Sequence, residues 1–430
     1  MKIIRARDKR FPRFLARVTG RGAADTRAVE AAVRTILDDV RSEGDSALAR
    51  HTKEFDGVDL KGRTEVTAGE INAAVRKVPK RDMRLLELAA SRVEDFHRRQ
   101  LANSWFTTSP DGVTLGTRIT PVERAGIYVP GGKAAYPSTV IMNAVPARVA
   151  GVDELVMVTP PGRRGISPYV LAAASITGVD RVFRVGGAQA VGALAYGTET
   201  VPRVDKITGP GNIYVATAKR LVYGAVDIDM IAGPSEILVI NDGTGEPSWI
   251  AADLLSQAEH DELASAILVT TSPKMAGLVS GEVERRLKKL GRRAIAEASI
   301  RDYGAIIVAS TIEEAVSISN RLAPEHLELF VENPFEVLGL VRNAGAVFMG
   351  RFTPEAMGDY LAGPNHTLPT GGTARFSSPL GVEDFTKRTS VVSFSEKGAE
   401  ALGPSVVRFA EIEGLEAHAR SAAARLKKKK

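Results

Sequence analysis

The sequence has no cysteine and only six histidines among 430 residues. Without cysteine, a thiolate nucleophile, a cysteine-ligated metal and disulfide bonds are all excluded. The same absence fits a reducing compartment, so we expect a cytoplasmic protein. No stretch approaches the roughly 18 apolar residues that a membrane-spanning helix needs, and no membrane partner is expected.

Excess positive charge is also scarce outside the C-terminus. The net charge is +6, and Lys427 to Lys430 supply four of these charges. No basic patch is interleaved with aromatic residues, so nucleic acid is not an expected partner. The basic segment from Met1 to Arg17 lacks the apolar core of a signal peptide, and a folded N-terminal arm is favoured over an organelle transit segment.

The composition, 44% hydrophobic and 25% charged, is typical of a globular protein, and the length predicts two or three domains. Residues 29–40 and 85–96 have apolar positions at helical spacing, which predicts a helical start to the chain. After about Val391 the pattern is helical again. There Pro404 is placed to start a helix and Gly414 to interrupt one.

Between these helical ends, short apolar runs alternate with glycine-rich turns and helix-like stretches. Four strand–turn–helix units follow one another between Val113 and Leu221, and a second series runs from Ile237 to Phe348. Repeated units of this kind predict parallel sheets flanked by helices, and therefore an α/β fold.

The glycine turns are candidates for phosphate binding, because a turn that leads into a helix presents free N–H groups. No turn spells G-x-G-x-x-G. Gly209-Pro-Gly211-Asn212 lacks the third glycine, and no acidic residue lies at a convincing strand end about 20 positions on. Two interpretations stay open: the turns are ordinary strand–helix connections, or several of them bind a nucleotide in a non-standard way.

Four of the six histidines lie in compact polar motifs, which suggest one metal site built from distant segments with an acid–base pair beside it. Gln257 and His260 are three residues apart near the end of a predicted helix. They share a face and can chelate one ion, or His260 caps the helix. Asp359 and His366 flank a Gly-Pro-Asn turn, which brings both side chains into one cleft or serves only as a turn.

The remaining two motifs also have two interpretations each. Glu325 and His326 are adjacent, and such a pair suits proton transfer because histidine titrates near neutrality, although the pair is also common on surfaces. Glu413 and His418 lie on either side of Gly414. They face a cleft, or they belong to a solvated helix face.

Taken together, these segments resemble the histidinol dehydrogenase family. The likeness runs from Ile3-Ile-Arg5 to Glu413-Gly-Leu-Glu-Ala-His418 and so covers nearly the whole chain. The specific stretches are Ile127-Tyr-Val-Pro-Gly-Gly132, Val185-Gly-Gly-Ala-Gln189, Gly209-Pro-Gly-Asn212, Ala232-Gly-Pro-Ser-Glu236, Leu255-Ser-Gln-Ala-Glu-His260, Leu322-Ala-Pro-Glu-His326, and Gly358-Asp359 through Thr386.

The resemblance implies an NAD-dependent, zinc-containing homodimer. Its implied activity is the oxidation of L-histidinol through L-histidinal to L-histidine, the last step of histidine biosynthesis. One zinc ion per subunit would be held by Gln257, His260 and Asp359, with His418 of the partner subunit completing the set.

The resemblance also implies roles for individual side chains. Glu325 and His326 are the implied acid–base pair. The implied substrate contacts are Ser235, Gln257, His260, His326, Asp359, His366 and, from the partner subunit, Glu413 and His418. The implied NAD contacts are Tyr128, Gln189 and Asn212.

The implied fold is aldehyde-dehydrogenase-like, with two Rossmann-like α/β domains and helical N- and C-terminal segments. We expect an N-terminal arm over residues 1–25 and a first α/β domain over 26–127 and 238–390. The second α/β domain, which would bind NAD, is expected over 128–237. A C-terminal helical dimerisation segment is expected over 391–430.

Three other functions are considered. A related zinc- and NAD-dependent dehydrogenase of another small amino alcohol or diol is disfavoured by Glu413 and His418, which complete an imidazole-and-amine pocket. A thiol-type aldehyde dehydrogenase needs a catalytic cysteine, which this chain lacks. A non-enzymatic nucleotide-binding protein would bind no zinc and form no NADH.

Overall fold

A computed structural model describes residues 1–21, 27–131, 135–162 and 165–426. The lysine run at 427–430 and Gly132 of the glycine turn after Tyr128 lie outside these residues. The chain forms two units. The first comprises Met1–Gln100 and Val122–Phe385, and the second comprises Leu101–Pro121 and Thr386–Lys430.

The described residues form fourteen β-strands. They are β1 (Ile3–Arg5), β2 (Trp105–Thr108), β3 (Val113–Pro121), β4 (Arg124–Tyr128), β5 (Glu154–Val158), β6 (Arg181–Phe183), β7 (Lys206–Thr208), β8 (Asp227–Ile228), β9 (Glu236–Asn241), β10 (Ser265–Thr270), β11 (Ala305–Val308), β12 (His326–Phe330), β13 (Ala346–Met349) and β14 (Thr386–Phe394).

The same residues form seventeen α-helices. They are α1 (Arg10–Thr19), α2 (Arg27–Glu43), α3 (Asp45–Asp56), α4 (Ala68–Val75), α5 (Lys80–Arg98), α6 (Pro137–Ala150), α7 (Pro168–Ile176), α8 (Gly187–Tyr196), α9 (Ile213–Val222), α10 (Pro247–Ala258), α11 (Pro273–Leu287), α12 (Arg293–Asp302), α13 (Ile312–Leu322), α14 (Pro334–Leu338), α15 (Glu355–Met357), α16 (Glu396–Ile412) and α17 (Glu416–Ala423). A π-helix spans Gly358–Ala362, and short 3-10 helices span Thr373–Arg375 and Val382–Phe385.

A parallel five-stranded sheet forms one half of the first unit, in the order β6-β5-β4-β7-β8. Its strands β4 and β5 are apolar and buried after their first residue, because helices cover both faces of the sheet. In β5, Leu155 and Met157 pack into one core, and Val156 and Val158 pack into the core on the other face. This sheet confirms the predicted strand–turn–helix series.

A parallel six-stranded sheet forms the other half, in the order β1-β11-β10-β9-β12-β13. Its edge strand β1 comes from the N-terminal end of the chain and pairs with β11. Ile237 and Val239 of β9 pack into one core, while Leu238 and Ile240 pack into the other. Two parallel, helix-flanked sheets confirm the α/β fold class. The domain boundaries and the aldehyde-dehydrogenase likeness stay predictions.

The second unit contains the antiparallel sheet β14-β3-β2 and the helices α16 and α17. Gly414, with a φ of 72°, separates the two helices as expected. The prediction that Pro404 starts a helix is wrong. Helix α16 begins earlier because the side chain of Ser395 caps it by accepting the N–H of Gly398, and Pro404 lies in its interior. No helix among the described residues is long and apolar enough to cross a membrane.

Candidate active site

The candidate site lies at the amino ends of the central strands of the six-stranded sheet. His326 is the first residue of β12 and pairs with Ile237 on one side and Ala346 on the other. The sequence placed His326 near a turn. That turn is present, since Ala323 ends α13 with a φ of 49°, but the buried strand begins at His326 itself. The strand therefore holds the imidazole rigidly, with only 3% of its surface exposed.

The backbone of β9 defines the tautomer of His326. Nδ1 of the ring lies 2.9 Å from the carbonyl oxygen of Glu236, which can only accept a hydrogen bond, so Nδ1 carries the proton. Nε2 is buried and has no hydrogen-bond partner among the residues that the structure describes. It lies 3.7 Å from Oδ1 of Asp359 and 3.8 Å from Oε1 of Glu355. Nε2 is thus the nitrogen available to take up a proton.

A reciprocal pair of hydrogen bonds fixes Glu325 beside this ring. The N–H of Glu236 donates to Oε2 of Glu325 at 2.9 Å, and the N–H of Glu325 donates to Oε2 of Glu236 at 3.0 Å. The buried guanidinium of Arg21 pairs with the other oxygen of Glu236. Burial raises the pKa of Glu325 to about 8. This carboxyl group can therefore exchange a proton at mildly alkaline pH.

Neighbouring carboxylates control the protonation of His326. Burial by itself would lower the pKa of His326, but Glu355, Glu325 and Asp359 together raise it well above the usual value. Burial likewise raises the pKa of Glu355 to about 7. The pKa of Asp359 is lowered, because its interactions with His326 outweigh the cost of burial. The ring and its acids therefore form one coupled group.

Three further predicted side chains lie around His326 and Asp359. Gln257, in the last turn of α10, is buried, and its Nε2 lies 3.3 Å from Nδ1 of His326. Nδ1 of His366 lies 3.1 Å from the backbone oxygen of Asp359 in the π-helix. His260 lies two residues beyond α10, and the charges of Asp359 and His326 both act on its pKa. That pKa is lowered, chiefly because neighbouring protein atoms desolvate the ring.

Metal-binding capacity follows from the donor atoms in this cluster. Ligand atoms of His326, Glu355 and Asp359 lie within 4.8 Å of one another. Oε1 of Gln257 is buried and has no hydrogen-bond partner among the described residues. A buried amide oxygen without a partner costs on the order of 1–3 kcal/mol, and a cation would satisfy it. Imidazole, carboxylate and amide donors together suit a divalent ion such as zinc.

The predicted NAD contacts lie at the carboxyl edge of the other sheet. The hydroxyl of Tyr128, which ends β4, accepts the N–H of Gly187 at 3.0 Å. Gln189 is in the first turn of α8 and buried, and neither atom of its amide has a hydrogen-bond partner in the described part of the chain. Asn212 is exposed and caps α9, its Oδ1 accepting the N–H groups of Tyr214 and Val215. These residues line strand–helix turns of the kind that bind phosphates.

Comparison with known proteins identifies the family. The sequence model of histidinol dehydrogenase matches residues 19–426. Histidinol dehydrogenase of Geobacter metallireducens is 60% identical over 429 residues, which cover 99% of this chain and 98% of that protein. The Bacillus subtilis protein of that name is 54% identical over 403 residues, or 94% of each chain. The crystal structure of histidinol dehydrogenase from Elizabethkingia anophelis matches with a TM-score of 0.92 and 38% identity, covering 99% of this chain and 98% of that one.

The chain belongs to the histidinol dehydrogenase family. It is therefore an oxidoreductase of histidine biosynthesis, as the sequence predicted. A dehydrogenase of another amino alcohol or diol is not favoured, because the match extends over nearly the whole chain. Within this histidinol dehydrogenase fold, the roles of individual residues stay predictions.

Three predicted residues of the histidinol dehydrogenase site lie outside this cluster. Ser235 directly precedes β9, is half-buried, and its backbone oxygen accepts the N–H of Ser265 at 3.0 Å. Glu413 and His418 belong to the second unit, where the side chains of both are exposed. Glu413 follows the last residue of α16, and His418 is in α17.

Several charged residues near these sites were not predicted from the sequence. No acid was expected at a convincing strand end after the glycine turn, but Asp229 directly follows β8. Its Oδ2 accepts the N–H of Gly209 at 2.8 Å, and its Oδ1 pairs with buried Lys219. Beside the histidinol dehydrogenase site, Asp253, Glu328 and Glu355 were also missed. An acid inside an apolar strand, as in His-Leu-Glu-Leu-Phe, is the signal that marks Glu328.

Proposed function

We propose that this chain oxidises L-histidinol to L-histidinal and then to L-histidine, reducing one NAD in each step, with one zinc ion per subunit. The observation that carries the proposal is the pair of unsatisfied buried atoms at the amino edge of the six-stranded sheet. Nε2 of His326 can take up a proton, and Oε1 of Gln257 can bind a cation. A base beside a metal-binding donor is the arrangement that alcohol oxidation needs.

Gln257, His260 and Asp359 are the proposed zinc ligands within one chain. The two neutral donors and one carboxylate would leave net positive charge on the ion and positions for substrate. When bound, zinc supplies a Lewis-acidic centre that orients the amino alcohol, and NAD supplies the hydride acceptor. A cation engaged by Asp359 would also offset one of the carboxylates that raise the pKa of His326. That change favours the unprotonated Nε2.

In the first oxidation, Nε2 of His326 would take the proton of the substrate hydroxyl while the carbinol carbon loses its hydride. The hydrogen bond from Nδ1 to the backbone oxygen of Glu236, 2.9 Å long, keeps the ring in the required tautomer and orientation. The acceptor belongs to a central strand, and with Nδ1 bonded to it the ring presents Nε2 to Glu355 and Asp359.

In the second oxidation, Glu325 would remove a proton from the water that adds to the aldehyde. The hydrate then loses a hydride from the same carbon and becomes the carboxylate. Burial raises the pKa of Glu325 to about 8, so at mildly alkaline pH the carboxylate form is populated and basic enough for this task. His326 Nδ1 lies 3.6 Å from Oε2 of Glu325, close enough for their charges to be coupled.

NAD is proposed to bind at the turns of the five-stranded sheet, against Tyr128, Gln189 and Asn212. Helices α8 and α9 begin at these turns, so the positive ends of their dipoles lie where a pyrophosphate would bind. The unsatisfied amide of Gln189 offers a further donor and acceptor. Gly209 lets the backbone approach closely, since a Cβ there would lie 2.1 Å from the carbonyl oxygen of Tyr128.

We further propose a homodimer with shared sites, in which Glu413 and His418 of the partner subunit contact substrate and zinc. Both side chains are exposed within one chain, as residues that serve another subunit must be. Exposed apolar side chains on α16, Phe409 and Ile412, support a partner surface on the same segment. His366 and Ser235 are retained as proposed substrate contacts.

The decisive assay is L-histidinol with NAD, followed at the NADH absorbance, together with zinc content after dialysis. Two NADH per histidinol and one zinc per chain are expected. A single NADH, or equal turnover of a diol without an imidazole, would favour the alternative dehydrogenase. His260→Ala should lose zinc and activity while staying folded, and retention of stoichiometric zinc would exclude His260 as a ligand.

Complementation tests the shared site. His260→Ala and His418→Ala chains should each be nearly inactive as homodimers. In a heterodimer one site carries both substitutions and the other carries none. An equal statistical mixture is about half heterodimer, so roughly a quarter of the parental activity should return. No recovery in heterodimers that contain metal would mean that His418 serves its own chain.

A further inference from the structure

A second row of acids lies directly behind the candidate site. Three elements each contribute one residue to the site and one acid at a spacing that places both on the same face. On α10, Asp253 precedes Gln257 by four residues. On β12, Glu328 follows His326 by two residues. Along α15 and the π-helix, Glu355 precedes Asp359 by four residues.

Glu328 connects the other two acids. Oε1 of Glu328 accepts the backbone N–H of Glu355 at 2.8 Å. Asp253 lies near Glu328, because burial and then the charge of Asp253 raise the pKa of Glu328 well above its usual value. Arg286 is the cation whose charge acts on Asp253. The row is therefore continuous from α10 through the strand to the segment that carries Asp359.

Stability does not explain why these acids are buried. Glu328 is 2% exposed and Glu355 is 4% exposed. Burying carboxyl groups costs free energy, and well-packed apolar residues of similar size usually replace them without loss. Instead, the row of acids fixes the position of the backbone at the start of α15. The N–H of Glu355 opens α15, whose preceding residue, Pro354, provides no side-chain cap, so Glu328 is its partner.

Glu328 and His326 belong to the same rigid strand, which lies between β9 and β13. Glu328 thereby ties the start of the α15–π-helix segment to the strand that carries the proposed base. One turn later, that segment places Oδ1 of Asp359 3.7 Å from Nε2 of His326. The geometry of ligand and base thus depends on the hydrogen bond at Glu328.

We propose that Glu328, with Asp253 beside it, is a positioning residue that holds Asp359 in place for metal binding. This inference rests on the proposed function, because it takes Asp359 as a zinc ligand. It assigns Glu328 and Asp253 no contact with substrate. Outer partners of this kind typically alter metal affinity by about 10- to 100-fold when they are removed.

The test measures the zinc dissociation constant by competition with a chromogenic chelator. Glu328→Met removes the acceptor while keeping an unbranched side chain, and the zinc dissociation constant should rise by about 10- to 100-fold. Glu328→Gln keeps an oxygen for the N–H of Glu355 and an amide for Asp253, and should stay within about threefold of the parent. Rescue by glutamine separates hydrogen-bond geometry from charge.

Leu329→Ala is the matched control. Leu329 is the next residue of β12, faces the opposite core and is fully buried. It should lower the melting temperature without changing the zinc dissociation constant of the folded protein. If Glu328→Met does not fold, Asp253→Ala replaces it, since alanine is well tolerated in a helix, and should raise the constant several-fold.

The outcomes separate the two proposals. Unchanged zinc affinity in Glu328→Met, or in Asp253→Ala, would overturn the positioning role while leaving the proposed function intact. Equal weakening in the glutamine and methionine variants would also overturn it. If the parent chain binds no zinc, the proposed function fails, and the positioning role fails with it.

Discussion

The two parallel sheets carry their candidate sites at opposite edges. In the five-stranded sheet, Tyr128 and the glycine turns lie where the strands end, the edge at which ligands usually bind in open α/β sheets. In the six-stranded sheet, Glu325 and His326 lie where the strands begin. One sheet therefore follows the general rule, and the other departs from it.

The difference reflects what each edge supplies. At the carboxyl edge, helix N-termini offer backbone N–H groups, and glycine lets the backbone approach, so recognition needs few charged side chains. At the amino edge, the first residue of a strand offers a rigidly held side chain. His326, Glu325 and Asp359 are packed there with acids that shift one another's pKa. Phosphate recognition suits the first edge, and proton transfer suits the second.

Replacing the proposed base should give the largest effect, and that effect should be confined to the amino edge of the six-stranded sheet. His326→Asn should lower kcat by on the order of 10²-fold or more in both oxidations, because a general base contributes about that much. NAD affinity, measured by fluorescence titration, should stay unchanged, since the proposed NAD site belongs to the other sheet. Glu325→Gln should slow aldehyde oxidation more than alcohol oxidation. Equal, mild losses in both half-reactions would contradict this division of roles.

Many of the strands and site residues in the two sheets were predictable from the sequence. Strands β5 and β11, at Glu154–Val158 and Ala305–Val308, lie within the two predicted series of strand–turn–helix units, because continuously buried strands leave short apolar runs in the sequence. The polar motifs around Gln257, His326 and Asp359 also identify side chains that the fold brings together. Local composition is sufficient for such features.

Other features of the two sites depend on tertiary structure and could not be predicted from the sequence. Pro324 favours a turn, and nothing local shows that a central strand begins two residues later at His326. Asp229 was not expected at the end of a strand, because the two residues of β8 are too few to show a periodic pattern. The three acids behind the site were not predicted for a different reason. Asp253, Glu328 and Glu355 are meaningful only once three distant elements have been packed together.

A substitution at the carboxyl edge of the five-stranded sheet should weaken NAD binding and leave zinc binding unchanged. Gly209→Ala forces alanine to a φ of 110° with its Cβ 2.1 Å from the carbonyl oxygen of Tyr128. The free energy of unfolding should fall by at least about 1–3 kcal/mol, and NAD affinity should fall with it. Zinc content, measured on the folded fraction, should remain that of the parent. Gly277→Ala is the control, because space is open around that helical glycine.

The pH dependence of stability should also differ between the two edges. Burial raises the pKa of Glu325 from 4.5 to about 8, so the folded chain keeps a proton that the unfolded chain releases. This contribution to stability is complete below pH 4.5 and is lost as the pH rises to about 8. Between about pH 6 and about pH 9, metal-free Glu325→Gln should therefore lose less stability than the parent, by on the order of 1 kcal/mol.

Denaturant unfolding at several pH values measures this effect. Tyr128→Phe at the other edge is the control, since the pKa of Tyr128 is raised to about 12 and the group stays neutral throughout. Parallel pH profiles for the parent and Glu325→Gln would show that the folded chain holds no extra proton at this position.

The smallest expected effect concerns Gln189, where binding and stability should move in opposite directions. Its side chain is buried, and no described residue forms a hydrogen bond with Oε1 or Nε2, so in the NAD-free chain the amide costs free energy. Gln189→Met removes this cost at similar volume and should raise the free energy of unfolding by about 1 kcal/mol. With the amide gone, the dissociation constant of NAD should rise by about tenfold, since 1.4 kcal/mol corresponds to that factor. Thermal unfolding with and without NAD measures both quantities on one sample. A variant that is less stable without NAD would show that the Gln189 amide already has a partner in the folded chain, and unchanged NAD affinity would remove Gln189 from the proposed nucleotide site.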